Sequence, residues 1–405
     1  MTSDRPKNAW EFKARFRRRA FGWKSQPAIK RVKEAVSEIK RAARKDPVQA
    51  AEGAVLFLER VSPALERVDG SSGAMGTAVN NAIAELVPII AGAPADAKTR
   101  DAWLQRLFEA QAAEEIPYIE LLADHWGELC ASKELASIWA DRLLDAVRLA
   151  LRPDMRQRPY YHGTTACLSA LYAAERYDEL VELVKADVFW PYRRWAVKAL
   201  AAQGKKAEAL RSAESCRDPR ASDPDIDRTC EEILLSSGMA DEAYRRYGLT
   251  ANRAGTYLAW FRAIVRKYPH KRPADILADL VQLTPGQEGK WFAAAKDARL
   301  FDEAIALAKQ TPCDPRTLIR AARDFAEKNP AFAVEAGAAA LYWMARGYGY
   351  EIAVADVYSA YTHTMRAAEN AGRRDETRRR LRELVAQEAQ PDGFVARVIG
   401  RELGV

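Results

Sequence analysis

The chain has 405 residues, more than one compact core usually takes, so two domains or an elongated repeat array is expected. Hydrophobic residues make up 48% and charged residues 29%, which excludes a disordered polar chain. The formal net charge of +7 is unevenly placed: residues 1–45 hold fifteen Lys and Arg against four Asp and Glu, a net of +11, which leaves −4 on the other 360 residues.

Residues 1–45 therefore read as a basic N-terminal helical arm. Its Lys13, Arg15, Arg17, Arg18, Arg19, Lys24, Lys30 and Arg31 are candidate contacts for nucleic acid or an acidic partner surface. The plainer reading is a helix whose cations face water. The opening "MTSDRPKNAWEFKARFRRRAFGWK" places basic residues where a secretory signal carries an apolar segment. No apolar run reaches the roughly 18 residues that cross a bilayer, and "LVPIIAGAPA" stops short with two prolines. A cytoplasmic location with no membrane partner is expected. Cys130, Cys167, Cys216, Cys230 and Cys313 show no CxxC or CxC spacing, which suits reduced core thiols. His125, His162, His270 and His363 are never three or four residues apart, so neither a metal nor a cofactor is expected.

The predicted elements are helices throughout. In "AIKRVKEAVSEIKRAAR", Ile29, Val32, Val36 and Ile39 line one helical face. "PVQAAEGAVLFLERVSPALERV" follows, with Asp46 as N-cap and Pro47 at the first helical position. "MGTAVNNAIAELVPIIAGA", "TRDAWLQRLFEAQAA" and "IPYIELLADHWGELCA" continue an N-terminal helical region over 46–155, each stretch closed by Gly or Pro. "GSSGAMG" at 70–76 could cradle a phosphate before a helix, but it lacks the following Lys-Ser/Thr and no strand leads into it, so an inter-helix loop is preferred. "YYHGTT" sets His162 beside hydroxyls without a neighbouring carboxylate to orient it, and Thr164 or Thr165 reads equally well as an N-cap.

From 156 to 405 a pattern recurs: Asp178-Glu179, Ala207-Glu208, Asp241-Glu242, Asp275 near a diverged break, Asp302-Glu303 and, after a wider interval, Asp375-Glu376. The first two gaps are 29 and 34 residues, the scale of a helix-turn-helix repeat. Acids in a helix's first turn favour the positive end of its dipole, and the small residues that follow allow close crossing. Two stretches inside this region mix cations with flat rings: "FWPYRRWAVK", holding Arg193 and Arg194, and "WFRAIVRKYPHKRP", holding Arg266, Lys267, Lys271 and Arg272. Such mixtures suit single-strand binders, while rings at helical spacing also suit a repeat core. The final "AENAGRRDETRRRLRELVAQEA" reads as a charged capping helix with Glu376 and Arg380 paired four apart.

The alternation over about 160–388 resembles the tetratricopeptide repeat. That resemblance implies an α-solenoid, a superhelix of helix pairs with a concave binding face. The blocks "NAWEFKARFRRRAFGWKSQPAIKRVKEAVSEI", "AVLFLERVSPALERVDGSSGAMG", "RYDELVELV" and "GKKAEALRSAE" look like the helical region of unknown function that follows the SWIM zinc finger in certain bacterial proteins. The finger's own cysteines and histidine are absent. Together these readings give an all-α fold, an N-terminal helical region joined to a tetratricopeptide-like solenoid, acting as a non-enzymatic scaffold for a protein partner. A nucleic-acid-binding adaptor is the alternative. No triad, metal set or phosphate loop is found on which to base an enzyme.

Overall fold

The computed structural model describes residues 10–152, 160–218, 223–388 and 393–404, and these are helical with no strand among them. The chain divides into two compact units, Met1–Ala221 and Ser222–Val405. The division falls inside the stretch whose acid pairs recur. The expected boundary at 155 lies outside the described residues.

The first unit begins with α1 (Glu11–Arg15), α2 (Ser25–Ala43), α3 (Pro47–Leu65) and α4 (Ala74–Ala91). Phe12 and Phe16 are buried, meeting the Phe57 ring edge-on at 5.7 and 5.1 Å, and the Glu38 carboxylate accepts from the Glu11 and Phe12 amides at 2.8 and 3.2 Å. The basic segment thus contributes aromatic anchors to the same core as α3. On α2, Val32, Val36 and Ile39 are buried as their spacing predicts, and Ile29 packs half-buried against them. Asp46 caps α3 by accepting from the Gln49 amide at 2.9 Å, with Pro47 at the first helical position. The loop at 70–76 turns into α4 through Gly73, whose φ of +69° favours glycine.

By length and composition α4 is apolar enough to cross a membrane, with a mean hydropathy of 1.3, where counting unbroken apolar runs, interrupted by Thr77, Asn80, Asn81 and Glu85, found no such segment. Here its Met75, Val79, Ile83, Leu86, Val87 and Ile90 are core residues of the unit. Then come α5 (Ala97–Ala112), a 3-10 turn (Glu120–His125), α6 (Trp126–Cys130) and α7 (Lys133–Ala150). The buried Arg100 guanidinium on α5 donates to Ile90 O, Ala93 O and Leu129 O at 2.9, 2.6 and 3.3 Å. It satisfies carbonyls that the ends of α4 and α6 leave open.

Helix pairs complete the unit: α8 (Gly163–Ala173) with α9 (Tyr177–Leu183), and α10 (Trp190–Ala202) with α11 (Lys206–Glu214). α8 starts at Gly163, two residues earlier than a Thr164 cap would allow, and the Thr164 hydroxyl instead donates back to Tyr161 O at 2.8 Å.

The second unit opens with α12 (Pro224–Ser236). α13 (Ala240–Ala243) then runs through a π-helical turn (Tyr244–Gly248) into α14 (Leu249–Ala251). α15 (Tyr257–Lys267), α16 (Pro273–Leu283), α17 (Phe292–Asp297), α18 (Phe301–Gln310), α19 (Pro315–Phe325) and α20 (Pro330–Ala345) follow. The unit ends in α21 (Val354–Asn370), α22 (Arg374–Ala386) and α23 (Phe394–Leu403). The charged α22 is followed by α23, which buries Val395, Ile399 and Leu403. The expected Glu376–Arg380 pair does not form: Arg373 holds Glu376 at 2.7 Å, and Arg380 reaches Glu335 on α20.

The recurring acids share one local cause. At five corners a residue in the left-handed region ends a helix: Glu175, Gly204, Gly238, Arg299 and Gly372 have φ of 57, 78, 75, 62 and 66°. The next amide reaches back five residues in each: Arg176 N to Leu171 O, Lys205 N to Leu200 O, Met239 N to Leu234 O, Leu300 N to Ala295 O and Arg373 N to Ala368 O, at 2.8–3.0 Å. This is the Schellman closure of a helix C-terminus. A new helix starts two residues on, with its acids in the first turn. Asp275 differs because α16 starts from Pro273, after Arg272 in extended backbone.

Candidate functional site

The two basic-aromatic stretches are largely engaged within the fold. On α10, Arg193 donates to Val184 O and to Ser212 Oγ, each at 2.9 Å, closing the end of α9, and Arg194 is paired with Asp124. Trp195 is buried. Along α15, Trp260, Phe261 and Tyr268 are buried, Arg262 pairs with Asp297, and Lys267 pairs with the fully buried Glu231. Glu231 also accepts from the Tyr268 hydroxyl at 2.5 Å and from Asn252 at 2.6 Å. Lys271 sits 3.2 Å from Asp241 with its ammonium over the Tyr244 ring, and Arg272 is 2.6 Å from Asp275. Of these residues, Arg266 is exposed and has no charged partner among the described residues. Trp195, Trp260, Phe261 and Tyr268 are thus core rings, whereas Phe189 remains 54% exposed.

The N-terminal cations divide differently. Arg15 and Arg31 share Glu34 at 3.2 and 2.6 Å, Arg18 bridges Glu66 and Glu115, and Arg19 meets Glu66 at 2.6 Å. Lys13, Arg17 and Lys24 are exposed and in no ion pair among the described residues, Lys33, Arg41, Arg44 and Lys45 join them, and the exposed Lys30 lies near enough to Glu34 to help hold its pKa down. Four of these, Lys30, Lys33, Arg41 and Arg44, fall within about 80° around α2, with Ser37 at the centre. Grooves of about 630 and 680 Å³ run along this ridge, one against α1 and the other against α4. Lys33, Ser37 and Arg41 line both.

A second surface was not anticipated. Between α20 and α21, "GYGYEIAVADVY" exposes Tyr348, Tyr350, Val354 and Tyr358 at 45, 79, 58 and 51%. The loop is held rather than loose. Gly347, Gly349 and Glu351 take φ of 80, 117 and 49°, and a side chain at Gly349 would lie 2.6 Å from Ile352 Cδ1. Tyr348 N–H closes on Trp343 O at 2.9 Å and its ring meets that of Trp343. Arg316 donates to Glu351 O at 2.8 Å and to Asp356, which in turn caps α21 by accepting from Ala353 N–H at 2.9 Å. The glycine-punctuated tyrosines were the available sequence signal.

Among the described residues, no group of three or more His, Cys, Asp or Glu side chains is placed to hold a metal ion. Burial pushes the Cys130, Cys167 and Cys313 thiols up to about 12, away from the thiolate. His162 packs 4.7 Å from the Phe108 ring, and burial lowers its pKa; no carboxylate among the described residues orients it. Burial also pushes the Glu114 carboxyl up to about 7, against a hydrogen bond from Ile119 N–H at 2.9 Å.

Since the ordinary value for that carboxyl is 4.5, the folded chain holds this proton more tightly than the unfolded one, and stability falls as pH rises from there to about 7. Glu114→Gln is expected to match the parent near pH ~4 and to exceed it by about 1–2 kcal/mol near pH ~8, the full shift being reduced by partial solvent access. Urea melts at both pH values measure it; a constant difference would place the effect elsewhere.

No protein-family model matches the chain, and neither does any curated protein.

Proposed function

We propose that the chain is a non-enzymatic helical repeat scaffold that binds a protein partner. In this reading it is tetratricopeptide-like over 156–405 and akin to the helical region associated with SWIM zinc fingers in bacteria. The repeated corner supports the repeat reading, since one local closure used five times is what stacked helix pairs require. The observation that carries the binding function is the held aromatic loop. Exposed Tyr side chains are typical of hot spots, and a surface already fixed in shape loses little freedom on binding.

Val354 and Tyr358 stand four apart on α21, so they share one helical face. The test is quantitative capture with the full chain and with the Tyr350→Ala/Tyr358→Ala variant, whose exposed sites leave folding intact. At least one captured protein is expected to fall about 30-fold or more, the loss produced by a hot spot near 2 kcal/mol. An identical captured set from both chains at equal Tm would remove the loop from any binding role.

A further inference from the structure

Lys30, Lys33, Arg41 and Arg44 occupy one stripe of α2 over 14 residues, about 21 Å at the helical rise. Nearby acids are already committed. Glu34 serves Arg15 and Arg31, Glu38 caps α1 through two amides, and Glu85 holds Lys40 at 2.6 Å. Among the described residues, Glu34 lies near Lys30 as well, and Lys33, Arg41 and Arg44 are left without an ion pair. No apolar residue interrupts Lys30, Lys33, Ser37, Arg41 and Arg44. An interface with an ordinary protein would be expected to hold aromatic or aliphatic anchors and few lysines at its centre.

We propose that the exposed ridge of α2 is a docking site for the phosphate backbone of a nucleic-acid duplex. The grooves on either side leave the helix standing proud of α1 and α4. A helix about 10–12 Å across, presented in this way, suits a duplex groove about 12 Å wide. The cations lie on a rigid, well-packed element, because Val32, Val36 and Ile39 fix the opposite face. They are spaced over the length of about six base-pair steps at 3.4 Å each. The stripe offers no ring on which a base could stack and carries, besides its cations, only the small Ser37 hydroxyl, so recognition is mainly of backbone charge rather than sequence. Binding draws its free energy from counterion release, not from burial of apolar area.

The test uses the full chain and fluorescence anisotropy with 20-mer duplex DNA, duplex RNA and a single-stranded control across a salt series. With four phosphates neutralised, duplex affinity is expected to fall roughly 100-fold between 50 and 200 mM salt. The Lys30→Gln/Lys33→Gln/Arg41→Gln/Arg44→Gln variant should bind at least about tenfold more weakly at low salt and lose most of that salt dependence. A matched variant removes four exposed cations elsewhere, Lys328→Gln/Arg379→Gln/Arg397→Gln/Arg401→Gln, and is expected to bind like the parent. Loss in both variants would mean that net charge alone is responsible, which overturns the site. So would absence of duplex binding, or a stripe variant that binds unchanged. Tighter binding of the single strand overturns the duplex and points to stacking on the exposed Trp23. Displacement of the duplex by polyglutamate at equal charge concentration overturns it in favour of an acidic protein.

Discussion

Lys267→Met is expected to destabilise the chain by about 3–5 kcal/mol, the cost of leaving a buried charge without its partner. Lys267 is the cation that reaches Glu231, whose side chain has no solvent access. The Tyr268 hydroxyl and Asn252 amide still donate to that carboxylate in the variant, but neither carries charge. The double variant Lys267→Met/Glu231→Gln should recover most of the loss, since the glutamine oxygen can still accept from Tyr268 and Asn252 while no charge remains buried. Arg266→Met, one residue away on the exposed side, should change stability by less than about 0.5 kcal/mol. Denaturant melts of the three variants decide the matter. A double variant no better than Lys267→Met alone would mean that the loss comes from packing rather than from the uncompensated carboxylate.

That contrast between neighbours explains what the sequence could and could not reveal. "WFRAIVRKYPHKRP" has the composition of a nucleic-acid contact, yet Lys267 and Tyr268 both turn to Glu231, more than thirty residues upstream. Composition carries no information on which way a ring faces or on a partner that distant. The same applies to Arg194, whose partner Asp124 lies seventy residues away, and to Arg18 with Glu66 and Glu115. Local rules fared better. The Asp46 cap, the buried stripe of Val32, Val36 and Ile39, and the acids that open α9, α11, α13, α18 and α22 all depend on residues within a turn or two.

The ridge on α2 was half legible. Its charge excess stands out in a count of residues 1–45, but separating Lys33, Arg41 and Arg44 from the engaged Arg15, Arg18, Arg19 and Arg31 requires tertiary neighbours. The glycines of the aromatic loop were a signal, but its exposure was not legible because such side chains would normally fill a core. They remain outside because Gly347, Gly349 and Glu351 take left-handed backbone and Arg316 ties the turn to α19, so the loop cannot fold its tyrosines inward.

Gly127→Ala should be the most damaging single-methyl change in the first unit, with a loss of about 3 kcal/mol or more. Gly127 lies where α6 crosses α8, and a Cβ there would sit 2.4 Å from Ser169 O and 2.5 Å from Ala173 Cβ. One of these is a main-chain carbonyl, so no rotamer change relieves it; the two helices must separate. Separation would also break the Gly127 N–H to Ser169 Oγ bond at 3.0 Å and the Ser169 hydroxyl's donation to Asp124 O at 2.9 Å. Both place α8 at the start of the paired helices. Gly76→Ala provides the opposite sign: Gly76 lies within α4 with nothing within 4 Å of its added Cβ, so helix propensity alone should stabilise by about 0.5–1 kcal/mol. Thermal melts of the two variants would separate them in direction as well as size. A mild loss at Gly127, comparable in magnitude to the gain at Gly76, would mean that the α6–α8 crossing yields readily. Such yielding would be at odds with α8 being held firmly against α6 at this contact.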